Sequence, residues 1–224
     1  MVNFWITFVE FWPILFEGLV DTLYMTFASV TIAYALGLPM GILLVNSANG
    51  GLSPNRVLNQ VLGIIVNTTR SIPFIILAVI LIPVTRIIVG TAIGSTAAIV
   101  PLVIAATPFI ARMIETTLSE LDSGVIDAAK SMGASNKQII FKVMIPESIP
   151  SLIRGLAIVT INLLGLSAMA GAVGAGGLGR IAIRYGHQRS QTDVMFITII
   201  AIVLIVAVIQ LFFNVLAAKI DRKS

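Results

Sequence analysis

Asp127 to Ser148 reads DAAKSMGASNKQIIFKVMIPES, the longest polar run in an otherwise apolar chain. Just upstream, Asp122 or Ser123 offers a helix N-cap, and Val125, Ala128, Ala129 and Met132 then recur at i, i+3, i+4 and i+7 on one face. Gly133 supplies a C-terminal stop. Ser135 and Gln138 have capping-box spacing and open a second helix through Ile139, Ile140, Val143 and Met144. Pro146 and Pro150 mark the approach to the next apolar stretch. The sequence therefore predicts two short helices joined at Gly133. Ala128 and Ala129 let a groove or another backbone come close, and Met132 offers an adaptable apolar contact. The same pattern also suits a hairpin packed on its own membrane ends.

What surrounds this hairpin sets its meaning. The chain has 224 residues, 58% hydrophobic and 11% charged, with a mean hydropathy of +1.05. A soluble domain carries about 25% charged residues, so the composition is that of an integral membrane protein. Five stretches reach the roughly 20 apolar residues that a helix needs to cross a bilayer. They run from Leu19 to Val45, Val57 to Thr85, Ala92 to Ala111, Pro150 to Val173, and Val194 to Ala218. The second is interrupted by Asn67, Thr68, Thr69 and Arg70 just before Pro73, which predicts a long or kinked helix. Together they form one transmembrane domain over residues 19–218, with the hairpin at about 122–147 and a tail over residues 219–224. Residues 1–18 lack the positive start of a secretory signal. Phe4, Trp5, Phe8, Phe11, Trp12 and Phe16 recur there at roughly helical spacing, which predicts an interfacial aromatic helix or an extension of the first span.

Five spans put the two termini on opposite sides. With the N-terminus outside, the inner segments hold Arg56, Arg112, Lys130, Lys137, Lys142, Arg154, Lys219, Arg222 and Lys223, against Arg86, Arg180, Arg184 and Arg189 outside. That bias predicts N-terminus out, C-terminus in the cytoplasm, and a cytoplasmic hairpin. Arg180, Arg184 and Arg189 run against the rule, and would either orient a partner by charge or hold lipid phosphates.

Other features exclude functions. The chain has no cysteine, so disulfides and thiolate metal sites are absent, and its single histidine, His187, has no ligand-spaced neighbour. A net charge of +4 is small for nucleic-acid binding. Residues 174–179, GAGGLG, satisfy a dinucleotide fingerprint but follow an apolar span instead of a strand, so backbone packing explains them better. No phosphate-binding G-x-x-x-x-G-K-[ST] occurs, so any ATP energy must come from a partner. A self-sufficient ion-coupled transporter needs acids within its spans, whereas Asp21 and Asp193 lie at span ends. Arg70 either pairs with a carboxylate or helix end, or snorkels beside Pro73. In the fourth span small residues serve packing first, while Asn162, Ser167 and Met169 are candidates to line a path.

Asp127-Ala128-Ala129, Gly133 and Ile145-Pro146 resemble the E-A-A-x3-G-x9-I-x-L-P loop of permease subunits in bacterial ABC importers. Asp127 replaces Glu, Val143 replaces Ile and Ile145 replaces Leu, without loss of charge sign or apolar character. RSIPFIIL at residues 70–77, AAIVPLVIAATPFIAR at 97–112 and SAMAGAVGAGGLG at 167–179 look like the methionine-import members of that family. The likeness extends from about Thr22 to Gly186. It implies an all-α, type I ABC importer permease fold with five transmembrane helices and a cytoplasmic coupling-helix hairpin, located in the bacterial inner membrane. It further implies a homodimer, two ATPase subunits that bind ATP and magnesium, and an extracytoplasmic methionine-binding protein. This chain would hold no cofactor and do no covalent chemistry. Asp127, Ala128, Ala129, Met132, Gly133, Ile145 and Pro146 would form the coupling loop, Met169 and its neighbours a gate, and Arg180, Arg184 and Arg189 the docking face. Another small amino acid or solute is the alternative cargo.

Overall fold

A computed structural model describes residues 4–220. Among the described residues all regular structure is helical: α1 (Phe4–Ser47), α2 (Arg56–Ser71), α3 (Phe74–Ile80), α4 (Ile82–Val89), α5 (Ser95–Ser119), α6 (Ser123–Ser131), α7 (Asn136–Ile139), α8 (Ile145–Ala170), α9 (Gly177–Ile181) and α10 (Thr192–Ile220). Arg222 and Lys223, counted for the inner side, and the end of the 219–224 tail lie outside the described residues, as do residues 1–3.

Four helical stretches are long and apolar enough to cross a membrane, namely Thr7–Ser47, Ser95–Ser119, Asn136–Val173 and Thr192–Ile220. A fifth span exists only if α2 and α3 count as one, and they are bent by 103°. The expected kink at Pro73 is thus a break. Pro73 lacks an N–H and forces the preceding residue out of the helical region, and its own backbone is extended, φ −56° and ψ 134°. The remainder of the stretch expected to run from Val57 to Thr85 divides again at Leu81, and α4 ends on Gly90.

The boundary drawn at residue 18 marks no break either, because α1 is one helix of 44 residues. At 1.5 Å per residue it is about 66 Å long, roughly twice the thickness of a bilayer core. Its first turns pack on α10, with Leu15 buried among Leu178, Ile181, Val194 and Ile197. The second hairpin helix is also longer than expected. After α7, a π-helical segment (Ile140–Met144) passes directly into α8. There Ile145 N–H reaches back five residues to the Ile140 carbonyl. Pro146 follows as the second residue of α8, and having no N–H it donates nothing to the turn before it.

The chain folds as two compact units. One comprises the chain up to Ile32 with Ile72–Ala105 and Thr160–Leu211, and the other Ala33–Ser71, Ala106–Val159 and Phe212 onward. In the first, Thr22 Oγ1 donates to Gly18 O (2.8 Å) and accepts from the Leu178 amide (2.9 Å), fastening α9 to α1. A side chain on Gly179 would strike the backbone of Ala168, and one on Gly171 the Arg180 amide. The run 174–179 is therefore a packing element, as its context implied. In the second unit Leu44, Val66 and Ala111 form a buried cluster, and Gly41 lets α1 lie against α5.

A methyl group on Gly41 would stand 2.6 Å from the Ala111 carbonyl oxygen and 2.7 Å from Ile114 Cβ, and backbone cannot yield cheaply. We expect Gly41→Ala to cost about 1–3 kcal/mol. Gly63→Ala in α2, where nothing lies within 4 Å, should cost nothing or stabilise by up to about 1 kcal/mol. Thermal unfolding of both variants in detergent checks this, and equal midpoints would refute the close-contact account.

Candidate functional site: the capped hairpin

The hairpin is built from local signals at both of its ends. Asp122 is the N-cap of α6, its carboxylate accepting from the Gly124 amide at 2.8 Å. At the other end Gly133 takes φ +77°, its N–H donates to Lys130 O, and Ala134 N–H donates to Ala129 O. Those two bonds form a Schellman stop, which needs a residue free to enter the left-handed region. Ser135 then accepts from the Gln138 amide while Gln138 Oε1 accepts from the Ser135 amide at 2.9 Å, completing the capping box. Asn136 Nδ2 donates to Leu52 O and to Ser53 Oγ, both at 2.9 Å, tying the turn to the loop after α1.

The expected face divides on folding. Ala129 is 3% exposed and turned inward with Ile139, Ile140 and Met144, whereas Met132 is 81% exposed and Val125 and Ala128 lie outward with it. Ala129 thus anchors the hairpin, and the surface left for a partner is Val125, Ala128 and Met132 at i, i+3 and i+7. Asp127 is exposed and bonds Lys130 Nζ at 3.3 Å. Ile145 and Pro146 sit beyond the π-helical segment, at the start of α8. Beneath the hairpin lies a cavity of about 280 Å³ bordered by Asn46, Leu118, Ile126 and Lys130.

The other candidates fare unevenly. Asn162 is exposed, and Met169 is 51% exposed, so both are open to a second chain or a path. Ser167 is 1% exposed and its hydroxyl donates to Leu164 O at 2.7 Å. It is turned away from open surface here, and bonding to its own helix satisfies the buried hydroxyl. Arg180, Arg184 and Arg189 are exposed, and the last two share the Tyr185 ring at 5.8 and 4.8 Å from its centroid. His187 is exposed, and among the described residues no group of three His, Cys, Asp or Glu gathers to hold a metal.

Arg70 lies in the last turn of α2 with its guanidinium 5.9 Å from the Phe109 ring centroid. A charge in the last helical turn complements the carbonyl end, which matches the helix-end alternative. Sequence reasoning overlooked its neighbour Arg112, which pairs with Glu115 at 2.6 Å and bonds Asn67 Oδ1 at 2.9 Å. The i,i+3 spacing of Arg112 and Glu115 was a readable signal.

A polyhelical membrane chain with a broken span and a capped hairpin between two spans has the build of an importer permease. Over residues 33–224 the chain matches the family described as binding-protein-dependent transport system inner membrane component, and it belongs to that family. It is 49% identical over 212 residues to the "Probable D-methionine transport system permease protein MetI" of Pasteurella multocida, covering 95% of this chain and 98% of that one. The "Methionine import system permease protein MetP" of Bacillus subtilis is 44% identical over 209 residues, 93% of this chain and 94% of the relative. Among solved structures, an inward-facing conformation of the MetNI methionine ABC transporter matches with a TM-score of 0.93 and 45% identity, covering 95% of this chain and 99% of the other.

If the two caps set the hairpin, each should be separately costly. Gly133→Ala meets no atom within 4 Å, so its cost is conformational, about 1–2 kcal/mol, and Ser135→Ala should cost about 1 kcal/mol. Hydrogen exchange should quicken in residues 123–139 for both variants while α5 keeps its protection. Unchanged exchange in the hairpin would show that the caps do not hold it.

Proposed function

We propose that this chain is the permease subunit of an ATP-driven importer that brings methionine into the cytoplasm. It is a multi-pass inner-membrane transporter subunit and not an enzyme. Two copies form the pathway, with two separate ATPase subunits on the cytoplasmic side and a methionine-binding protein outside. ATP and magnesium are held by the ATPase. The distribution of Lys and Arg supports an N-terminus outside and a cytoplasmic hairpin. The observation that carries the mechanism is the hairpin itself. Its inner side is buried, both helix ends are capped, and Val125, Ala128 and Met132 are left outward for a groove of the ATPase.

In this mechanism closure of the ATPase pair on ATP moves the two hairpins, and the helices continuous with them carry that movement toward the pathway. The pathway opens outward to receive substrate, and hydrolysis returns it to the inward-open state. Met169 and Asn162 are the gate candidates that remain. A lining of apolar and small residues suits a thioether side chain, and the binding protein does much of the selecting. The likeness to methionine permeases across nearly the whole chain supports this cargo over another small amino acid.

Proteoliposomes holding the permease, its ATPase and its binding protein test the reading through ATP-dependent uptake of radiolabelled methionine. Gly133→Arg and the outward Met132→Glu should each reduce uptake at least tenfold and weaken ATPase association, with Met132→Glu keeping the wild-type unfolding midpoint. Full uptake by Met132→Glu, or uptake without ATPase, would overturn the coupling role.

We assign Arg180, Arg184 and Arg189 to the encounter with the binding protein. Rim charges act mainly on association rate and its salt dependence. Reversing all three should slow association at low salt with a smaller change at high salt. Identical rates in both salts would remove these residues from docking.

A further inference from the structure

Glu17 and Asp21 stand four residues apart on α1, and Arg180 and Arg184 stand four apart along α9 and the π-helical segment after it (Ala182–His187). That spacing puts each pair on one helix face. All four side chains, with Tyr185 and Gly176, line a single hollow of about 210 Å³. The acids and bases do not pair with one another. Within 4.0 Å none of these four has an ion-pair partner among the described residues, unlike Arg112 with Glu115 and Lys130 with Asp127.

The hollow is also constructed to keep its charges in place. Asp21 Oδ1 accepts from Ser95 Oγ at 2.9 Å. Its other oxygen lies so close to Gly176 that any Cβ there would collide with it. Arg184 rests over the Tyr185 ring. Two acids and two bases face one small volume, and a ligand of a single charge would leave the opposite pair uncompensated. A ligand carrying both charges answers both pairs, its ammonium toward the carboxylates and its anionic end toward the guanidiniums, where bidentate hydrogen bonds are available.

We propose that this hollow, separate from the coupling hairpin, binds a small zwitterion bearing a primary ammonium and an oxyanion. Its volume lies below the roughly 300–1,000 Å³ of sites for drug-sized ligands. Two sources offer this chemistry, a free α-amino acid and the headgroup of phosphatidylethanolamine. Phosphatidylcholine has no ammonium N–H to donate, and phosphatidylglycerol has no ammonium.

The test uses the purified permease–ATPase complex, without ATP or binding protein, so its outcome does not depend on coupling. Equilibrium binding of radiolabelled methionine, with glycine as competitor, probes the amino-acid source. Native mass spectrometry after incubation with phosphatidylethanolamine, phosphatidylcholine or phosphatidylglycerol probes the lipid source. We expect methionine displaced by glycine, or phosphatidylethanolamine retained above the other two lipids, and the positive arm names the source. Retention should fall at least tenfold in Glu17→Gln and in Arg180→Gln and stay unchanged in Glu10→Gln. Arg184→Gln serves where either variant fails to fold. Retention of neither zwitterion, or losses no greater than in Glu10→Gln, would overturn the proposal and leave the transport reading intact.

Discussion

Inside a bilayer no water is available to a stray peptide group, and each unsatisfied group costs several kcal/mol. Every irregularity in this chain therefore has to be closed by the chain itself. Thr22, Thr26 and Thr198 donate their hydroxyls to carbonyls four residues back, so polar side chains sit within apolar helices at little cost. Where Pro73 ends α2, the break is followed at once by a new helix whose first amide, at Leu77, returns to the Pro73 carbonyl. The loop beyond α8 is held similarly, with the Ala175 amide on Ala170 O and the Gly94 amide on Gly174 O. At these two breaks the backbone thus closes on itself.

With lipid as apolar as the side chains, helices gain little from hydrophobic exclusion and associate by close packing. Small residues supply that closeness here. Gly41 brings α1 to the α5 backbone, and Gly179 brings α9 to Ala168. By contrast α10 leaves Ile200, Val203, Leu204, Val208, Leu211 and Phe212 exposed, a surface fit for lipid or a second copy. The hairpin differs in kind. Its order comes from caps, turn geometry, the Asn136 tie to the loop after α1 and the buried side chains of Ala129, Ile139 and Ile140.

That difference decides what could be read in advance. Caps and stops are local, so Gly133, Ser135 and Gln138 were legible from spacing, Asp122 was legible as one of two possible caps, and apolar length revealed the spans. The 103° break after Ser71 was not legible, because Pro73 signals an interruption but its angle depends on where Phe74, Leu77 and Ala78 become buried. The aromatic repeat before residue 18 reads alike for an interfacial helix and for an extension of α1. Ala128 and Ala129 are indistinguishable as residue types, and only the fold turns one inward. The hydroxyl of Ser167 looked available until its own helix claimed it. The four charges of the hollow come from segments more than 150 positions apart, a separation that no local pattern bridges.

The π-helical segment at Ile140–Met144 gives the hairpin a consequence beyond shape. It holds one residue more than an α-turn would need, so α7 and the start of α8 are one rod with a phase offset built in. Removing a single residue there would restore ordinary winding and leave the flanking positions in phase, whereas rewinding the segment as α-helix with that residue still in place would swing the following positions by about 100° around the axis. The surplus residue thus keeps the hairpin end of the rod and the membrane end in register along an unbroken helical path.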